Sequence, residues 1–219
     1  MLRTIKAVFT SLRPNRSAAR SRAVRLGSSV VVAALAVSLA ACAPDPVAQQ
    51  YLDGSNKGYI AANGFRVEEV KIAERGEPVV YGGVLENGEK FSSDEVAGDV
   101  VVVNFWYAAC GPCRVEAPDL EAVWQEFKDD GVSFIGVNTY DQADTALSFA
   151  EEYGITYPSL IDVNTGEAKL AFAQVTPIQA TPTTLVLDKQ GRVAARIIGQ
   201  LEDASILRTL VKDIRAEKA

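Results

Sequence analysis

The chain has 219 residues, carries 22 Lys+Arg against 28 Asp+Glu for a formal charge of −6, and contains three cysteines and no histidine. That length holds one ordinary domain with flanking segments. The missing histidine excludes Cys–His and Ser–His–Asp nucleophilic catalysis and histidine-ligated metals, three cysteines fall short of a four-ligand zinc site, and Arg114 after Cys113 breaks the haem-attachment pattern.

Residues 1–41 contain seven basic residues (Arg3, Lys6, Arg13, Arg16, Arg20, Arg22, Arg25) and no acidic ones. The apolar stretch from Val30 to Ala41 is too short for an ordinary membrane span, and the pattern is that of an export signal. It ends Leu39-Ala40-Ala41-Cys42, which resembles the lipobox of bacterial lipoproteins. The resemblance implies cleavage before Cys42, lipid on that cysteine, and a domain held at the extracytoplasmic face of the cell membrane. Without residues 1–41 the seven basic charges go and the formal charge falls from −6 to −13. Such an acidic protein is a poor partner for nucleic acid. With Cys42 lipidated, two cysteines remain, and they read as one redox pair.

Residues 42–76 read as a tether, polar and turn-rich up to Lys57, with a short alternating strand around Arg66–Ile72. Val79–Leu85 and Lys90-Phe91, separated by Asn87-Gly88, predict a β-hairpin. Ser93-Asp94-Glu95 opens a short helical segment ended by Gly98. Val100–Trp106 predicts a buried strand. In the helix that follows, Leu120, Val123, Trp124 and Phe127 form one apolar face. Val132–Asn138 predicts a second buried strand. A further helix carries Ala143, Ala146, Leu147, Ala150 and Tyr153 on its inner side and stops at Gly154. Thr183–Leu187 and Val193–Ile198 predict a hairpin across Lys189-Gln190-Gly191. Ile206, Leu207, Leu210, Val211 and Ile214 predict the last amphipathic helix. Strand–helix–strand order demands parallel pairing, and the final hairpin is antiparallel, so the expected domain is α/β with a mixed sheet and helices on both faces.

Cys110-Gly111-Pro112-Cys113 lies at the strand-to-helix junction. Backbone N–H groups and the helix dipole favour negative charge there, and the thiolate is the reactive form of cysteine. The spacing suits a bridge that opens and closes. A purely structural disulfide closing so small a loop would remove little chain entropy. Cys110 is therefore expected to be exposed at the helix N-terminus.

These residues, together with Val102–Trp106, Glu116, Pro118-Asp119-Leu120, Gly136-Val137-Asn138 and Thr181-Pro182-Thr183-Thr184, resemble the thioredoxin arrangement in its TlpA/ResA-like branch of exported thiol–disulfide oxidoreductases. The resemblance covers residues 77–219 and implies a thioredoxin fold with an N-terminal β-hairpin extension. It implies that Cys110 attacks a partner disulfide and that Cys113 resolves the mixed disulfide. Gly111 and Pro112 would set a reducing poise, and Trp106 would pack beneath the pair. Pro182 matches the family's cis-proline, which would present the Thr181 backbone to a substrate strand. Glu116, three residues after Cys113, matches an active-site glutamate able to take a proton, the more so because Asn104 stands where thioredoxin has an aspartate. Pro118 would interrupt the helix.

Ala109 departs from the pattern, which usually has tryptophan there. The partners that the resemblance implies are exported disulfide proteins, apocytochrome c among them, with a membrane thiol transporter of the CcdA/DsbD type as electron donor. No cofactor and no metal are implied. Two other activities share the core. A thiol peroxidase needs Thr or Ser just before the first cysteine, where Tyr107, Ala108 and Ala109 stand. A Cu(I) chaperone could use the two thiolates, although the related ones have different spacing and a histidine.

Overall fold

In a computed structural model of the chain the described residues are 59–60, by backbone only, and 65–218. The strands are β1 (Tyr59–Ile60), β2 (Arg66–Glu69), β3 (Gly82–Val84), β4 (Lys90–Ser92), β5 (Val100–Trp106), β6 (Val132–Asn138), β7 (Ser159–Ile161), β8 (Thr183–Leu187) and β9 (Val193–Ile198). The helices are α1 (Gly111–Phe127), α2 (Ala143–Tyr153), α3 (Glu167–Ala173) and α4 (Ala204–Ala216).

β5 is buried at all seven positions, as a run of β-branched residues at the centre of a sheet must be. Its side chains alternate between two cores. Val100 and Val102 pack with Leu120, Val123 and Phe127 of α1 and with Leu207, Leu210 and Val211 of α4. Val101, Val103 and Phe105 point the other way, to Tyr81 and Phe91 of the hairpin region and Phe172 of α3. The main sheet runs β1-β2-β9-β8-β5-β6-β7. β5, β6 and β7 are parallel, β8 pairs antiparallel with β5, and β9 pairs antiparallel with β8. This is the thioredoxin-like mixed sheet flanked by helices.

The hairpin β3–β4 forms a two-stranded sheet of its own. Beyond it Leu85 bridges Leu160 of β7, so the hairpin's end closes one edge of the main sheet. A single 3-10 turn, Ser93–Val96, follows. Ser92 caps it with a reciprocal bond from its own backbone N–H to Glu95.

The tether expectation needs correcting at its far end. Arg66–Glu69 pairs antiparallel with β9, and the cross-strand neighbours Glu68 and Arg196 form an ion pair. Phe65 is buried in the α1/α4 core. The sheet therefore begins well before residue 77. Three of the strands and helices named above were not foreseen, β1, β7 and α3, with two, three and seven residues. In α2 the inner face is Ala146 and Phe149, whereas Leu147 is exposed.

Candidate active site

β5 delivers Trp106 and the loop that follows to the N-terminus of α1. Cys110 is the N-cap of that helix, and its Sγ accepts a hydrogen bond from the Cys113 N–H at 3.2 Å. Cys110 and Cys113 are joined as a disulfide with Cα atoms 5.2 Å apart. Gly111 and Pro112 form the exposed first turn between them, and Pro at this position costs the helix no hydrogen bond.

The expected exposure of the leading cysteine is not found. Cys110 is 3% accessible and Cys113 2%. The bridged Cys110 sulfur lies against the first turn of α1, where it takes the Cys113 N–H. There the pair joins a cluster with Trp106, Ala117, Ala146 and Phe149. The residues flanking Cys110 on both sides, Ala109 and Gly111, remain exposed.

The loop before Cys110 is tied down on two sides. Ala108 N–H donates to Asp141 at 2.6 Å, and Arg114 Nε donates to the Ala108 carbonyl at 2.7 Å. Asp141 also accepts from Asn138 at 3.0 Å. Ala109 leaves no large side chain beside the thiol. The aromatic surface at this corner is Tyr107 with Tyr140, ring centres 5.6 Å apart and Tyr140 75% accessible.

Glu116 lies one turn beyond Cys113 on the inner face of α1 and is 1% accessible. Both its oxygens are engaged. Asn104 Nδ2 donates to one at 2.9 Å and Leu201 N–H to the other at 2.7 Å. Asn104 also donates to Thr184 Oγ1 at 2.9 Å, which continues the chain across β8. Among the described residues no cation contacts this carboxyl. Burial raises its pKa, the bonds from Leu201 and Asn104 pull it partly back, the Asp119 charge adds to the rise, and it ends at about 7. Pro118 sits within the same helix and withholds the bond that the Arg114 carbonyl would receive.

The Thr181–Pro182 bond is cis. The β8/β5 register sets Thr183 opposite Phe105, so Pro182 lies at the end of β5 from which the cysteine turn departs. The Pro182 carbonyl accepts from Gly199 N–H at 3.0 Å, which holds the loop that also supplies Leu201 to Glu116.

Behind the cysteines lies a cavity of about 10 Å³, on the scale of a single water, bordered by Cys113, Trp106, Asn104, Ser159, Tyr157 and Glu86. Trp106 Nε1 donates to Ser159 Oγ at 3.3 Å. Gly136 is required here, since a Cβ would run into both of those side chains. Glu86 comes from the hairpin. Its N–H donates to the Ser159 carbonyl at 3.0 Å, and its carboxylate accepts from Ser159 N–H at 2.7 Å. Nothing in the sequence singled it out, because Asn87-Gly88 marks its neighbourhood as an exposed turn. The Leu85–Leu160 bridge brings it beside β7. Cys42 lies outside the described residues. Of the residues expected to act together, Cys110, Cys113, Trp106 and Glu116 converge at this end of the sheet, with Thr181-Pro182 at the end of the adjoining strand.

Comparison with known proteins agrees with this geometry. The redoxin family matches residues 74–211. The thiol–disulfide oxidoreductase ResA of Halalkalibacterium halodurans is 32% identical over 138 residues, 62% of this chain and 74% of that one. A thioredoxin-family thiol:disulfide interchange protein from Chlorobium tepidum superposes with a TM-score of 0.60 at 29% identity, covering 66% of this chain and 99% of that one. A secreted thiol-disulfide isomerase from Corynebacterium glutamicum superposes with a TM-score of 0.61 at 27% identity, covering 72% of this chain and 99% of that one.

Proposed function

This chain belongs to the redoxin family, among its ResA-like thiol–disulfide oxidoreductases, and from that premise we propose that it is a lipid-anchored, extracytoplasmic reductant of disulfides in exported proteins. The observation that carries this reading is the Cys110–Cys113 bridge at the N-terminus of α1, next to the end of the strand that begins after cis-Pro182. In the reduced form Cys110 is the attacking group. Its sulfur lies at a helix N-terminus, where unpaired N–H groups favour a thiolate. It forms a mixed disulfide with the partner. Cys113 then attacks Cys110, and the partner departs as a thiol.

Direction is supported by Gly111-Pro112, the dipeptide of the reducing members of the superfamily. Anchoring is supported by the basic and apolar leader ending Leu39-Ala40-Ala41-Cys42. In an oxidising compartment a reductant needs resupply, and a membrane thiol transporter of the CcdA/DsbD type fits that need. Apocytochrome c, with its paired haem-binding cysteines, is a substrate of fitting chemistry. Likeness to a secreted isomerase favours a second reading, disulfide shuffling. A reduction potential well above that of thioredoxin would select it.

The test is to express Cys113→Ser protein in its native envelope and isolate mixed disulfides. Cys113→Ser is expected to accumulate partners bound through Cys110, and Cys110→Ser to form none and to lose disulfide reduction. Full reduction by Cys110→Ser protein would refute the roles. Cys42→Ser is expected to release the protein from the membrane fraction.

A further inference from the structure

We infer that Glu86 accepts the proton of the Cys113 thiol, through one water in the cavity they share, when Cys113 resolves the mixed disulfide. This deepens the proposed function and rests on it. The resolving step needs a base, because a thiol must lose its proton to become a nucleophile. Glu116 is the neighbour in sequence, but Asn104 and Leu201 hold both its oxygens and it does not border the cavity. Glu86 borders it together with Cys113.

The cavity's size suits one water, and such a water needs two to four polar partners. Glu86, Ser159, Asn104, Tyr157 and Cys113 border it with polar side chains, as does Trp106, whose Nε1 is already given to Ser159 Oγ. Glu86 is fixed for the task. Its backbone and one carboxylate oxygen are bonded to Ser159, which leaves the second oxygen unclaimed by that strand.

The surrounding charges do not oppose this role. Among the described residues the other titratable groups bordering the cavity are Cys113 and Tyr157, and burial pushes the Tyr157 hydroxyl up so that it stays neutral. Glu89 and Lys90, on the hairpin itself, are exposed, and Glu116 on α1 faces Asn104 and Leu201. Burial also raises the Glu86 carboxyl above its ordinary range, against its backbone bonds, which makes it a better base near neutrality.

The step balances. The Cys113 proton passes through the water to the Glu86 carboxylate. The Cys113 sulfur uses its electron pair to bond Cys110 Sγ. The bond between Cys110 and the partner sulfur breaks, and the partner leaves as a thiolate with that pair. The two cysteines are oxidised and the partner disulfide is reduced.

The experiment reacts the reduced full chain with 5,5′-dithiobis(2-nitrobenzoate) in stopped flow. Attack by Cys110 releases the first thionitrobenzoate, and resolution by Cys113 releases the second. Glu86→Gln keeps an acceptor for Ser159 N–H, so the fold is preserved. It is expected to leave the first phase unchanged and slow the second by about 100-fold near pH 6–7, the lower end for general base catalysis. The gap should close at alkaline pH, where hydroxide removes the proton. Glu86→Asp should restore part of the rate. A second phase unaltered at every pH in Glu86→Gln, or abolished by Glu116→Gln instead, would overturn the inference. If the parent protein releases no thionitrobenzoate at all, it is the proposed function that fails.

Discussion

Two buried acids at opposite ends of the sheet behave in opposite ways. Asp188, at the β8–β9 turn, is 2% accessible and Glu116, under the cysteines, 1%. Burial pushes the Asp188 carboxyl up, but bonds from the Arg192 backbone and guanidinium, from Arg75 and from Gln190 outweigh it, and its pKa falls below the ordinary value. Burial also pushes Glu116 up, and there only neutral N–H donors answer, so it rises to about 7. The difference lies in the partners, not in the depth. An acid given guanidinium partners is held as a structural anion, whereas an acid given only amide donors keeps a raised pKa.

The Asp188 end works as a clasp. Arg75 reaches Asp188 at 2.9 Å, Glu217 at 2.6 Å and the Val70 carbonyl at 3.0 Å, so it joins the segment after β2, the β8–β9 turn and the end of α4. Replacing Arg75 by Met removes the cation and leaves two acids facing each other with incomplete pairing. The expected loss is about 3–5 kcal/mol by urea unfolding, with thiol reactivity of the folded protein intact. A loss below 1 kcal/mol would show that the clasp is not a paired buried centre.

The next effect is a dependence on pH. Glu116 has its folded pKa raised from 4.5 to about 7, so its contribution is complete below pH 4.5 and is lost as pH climbs through 7. The span is about 3 kcal/mol at most. Glu116→Gln, shaped like the protonated acid, should erase that slope between pH 5 and 8 when stability is followed by urea titration. An unchanged slope would remove Glu116 as its source. Asp188 has the reverse sign: its contribution stands above its ordinary pKa and is lost as pH falls through the depressed folded value. The smallest effect is expected for Arg192→Gln. Arg192 is partly solvated and Arg75 still serves Asp188, so the cost should be about 1 kcal/mol, readable as a shift in urea midpoint.

Much of this end of the molecule was legible in the chain. The valine run of β5 fixes a strand buried on both faces, and a Cys-Gly-Pro-Cys turn ahead of an amphipathic stretch places the pair at a helix N-terminus. Glu116 was singled out by the family resemblance, and its three-residue spacing from Cys113 places both on one helix face. Other features depend on long-range pairing, which local pattern does not encode. β7 has three residues and α3 seven, too few for a period to declare itself. β2 is legible as a short strand but falls within the expected tether, because its partner lies more than a hundred residues away in β9. Glu86 read as the tip of a solvated turn, and Arg75 gave no hint of being buried. The exposure expected of Cys110 failed because it took the helix end to be open, whereas the sulfur sits on the Cys113 N–H within a cluster built by Trp106, Ala117, Ala146 and Phe149, which only the folded sheet brings together.

The sheet's margins carry a consequence for an enzyme whose substrates are disulfide-bearing polypeptides. Loosely folded chains seek bare strand edges to extend, and an unguarded edge invites entanglement. Here the Leu85–Leu160 bridge occupies one margin, and on the other the sheet tapers to the two-residue β1. With one flank covered and the other shortened, the main sheet offers little bare edge on which a partner strand could extend by backbone pairing alone.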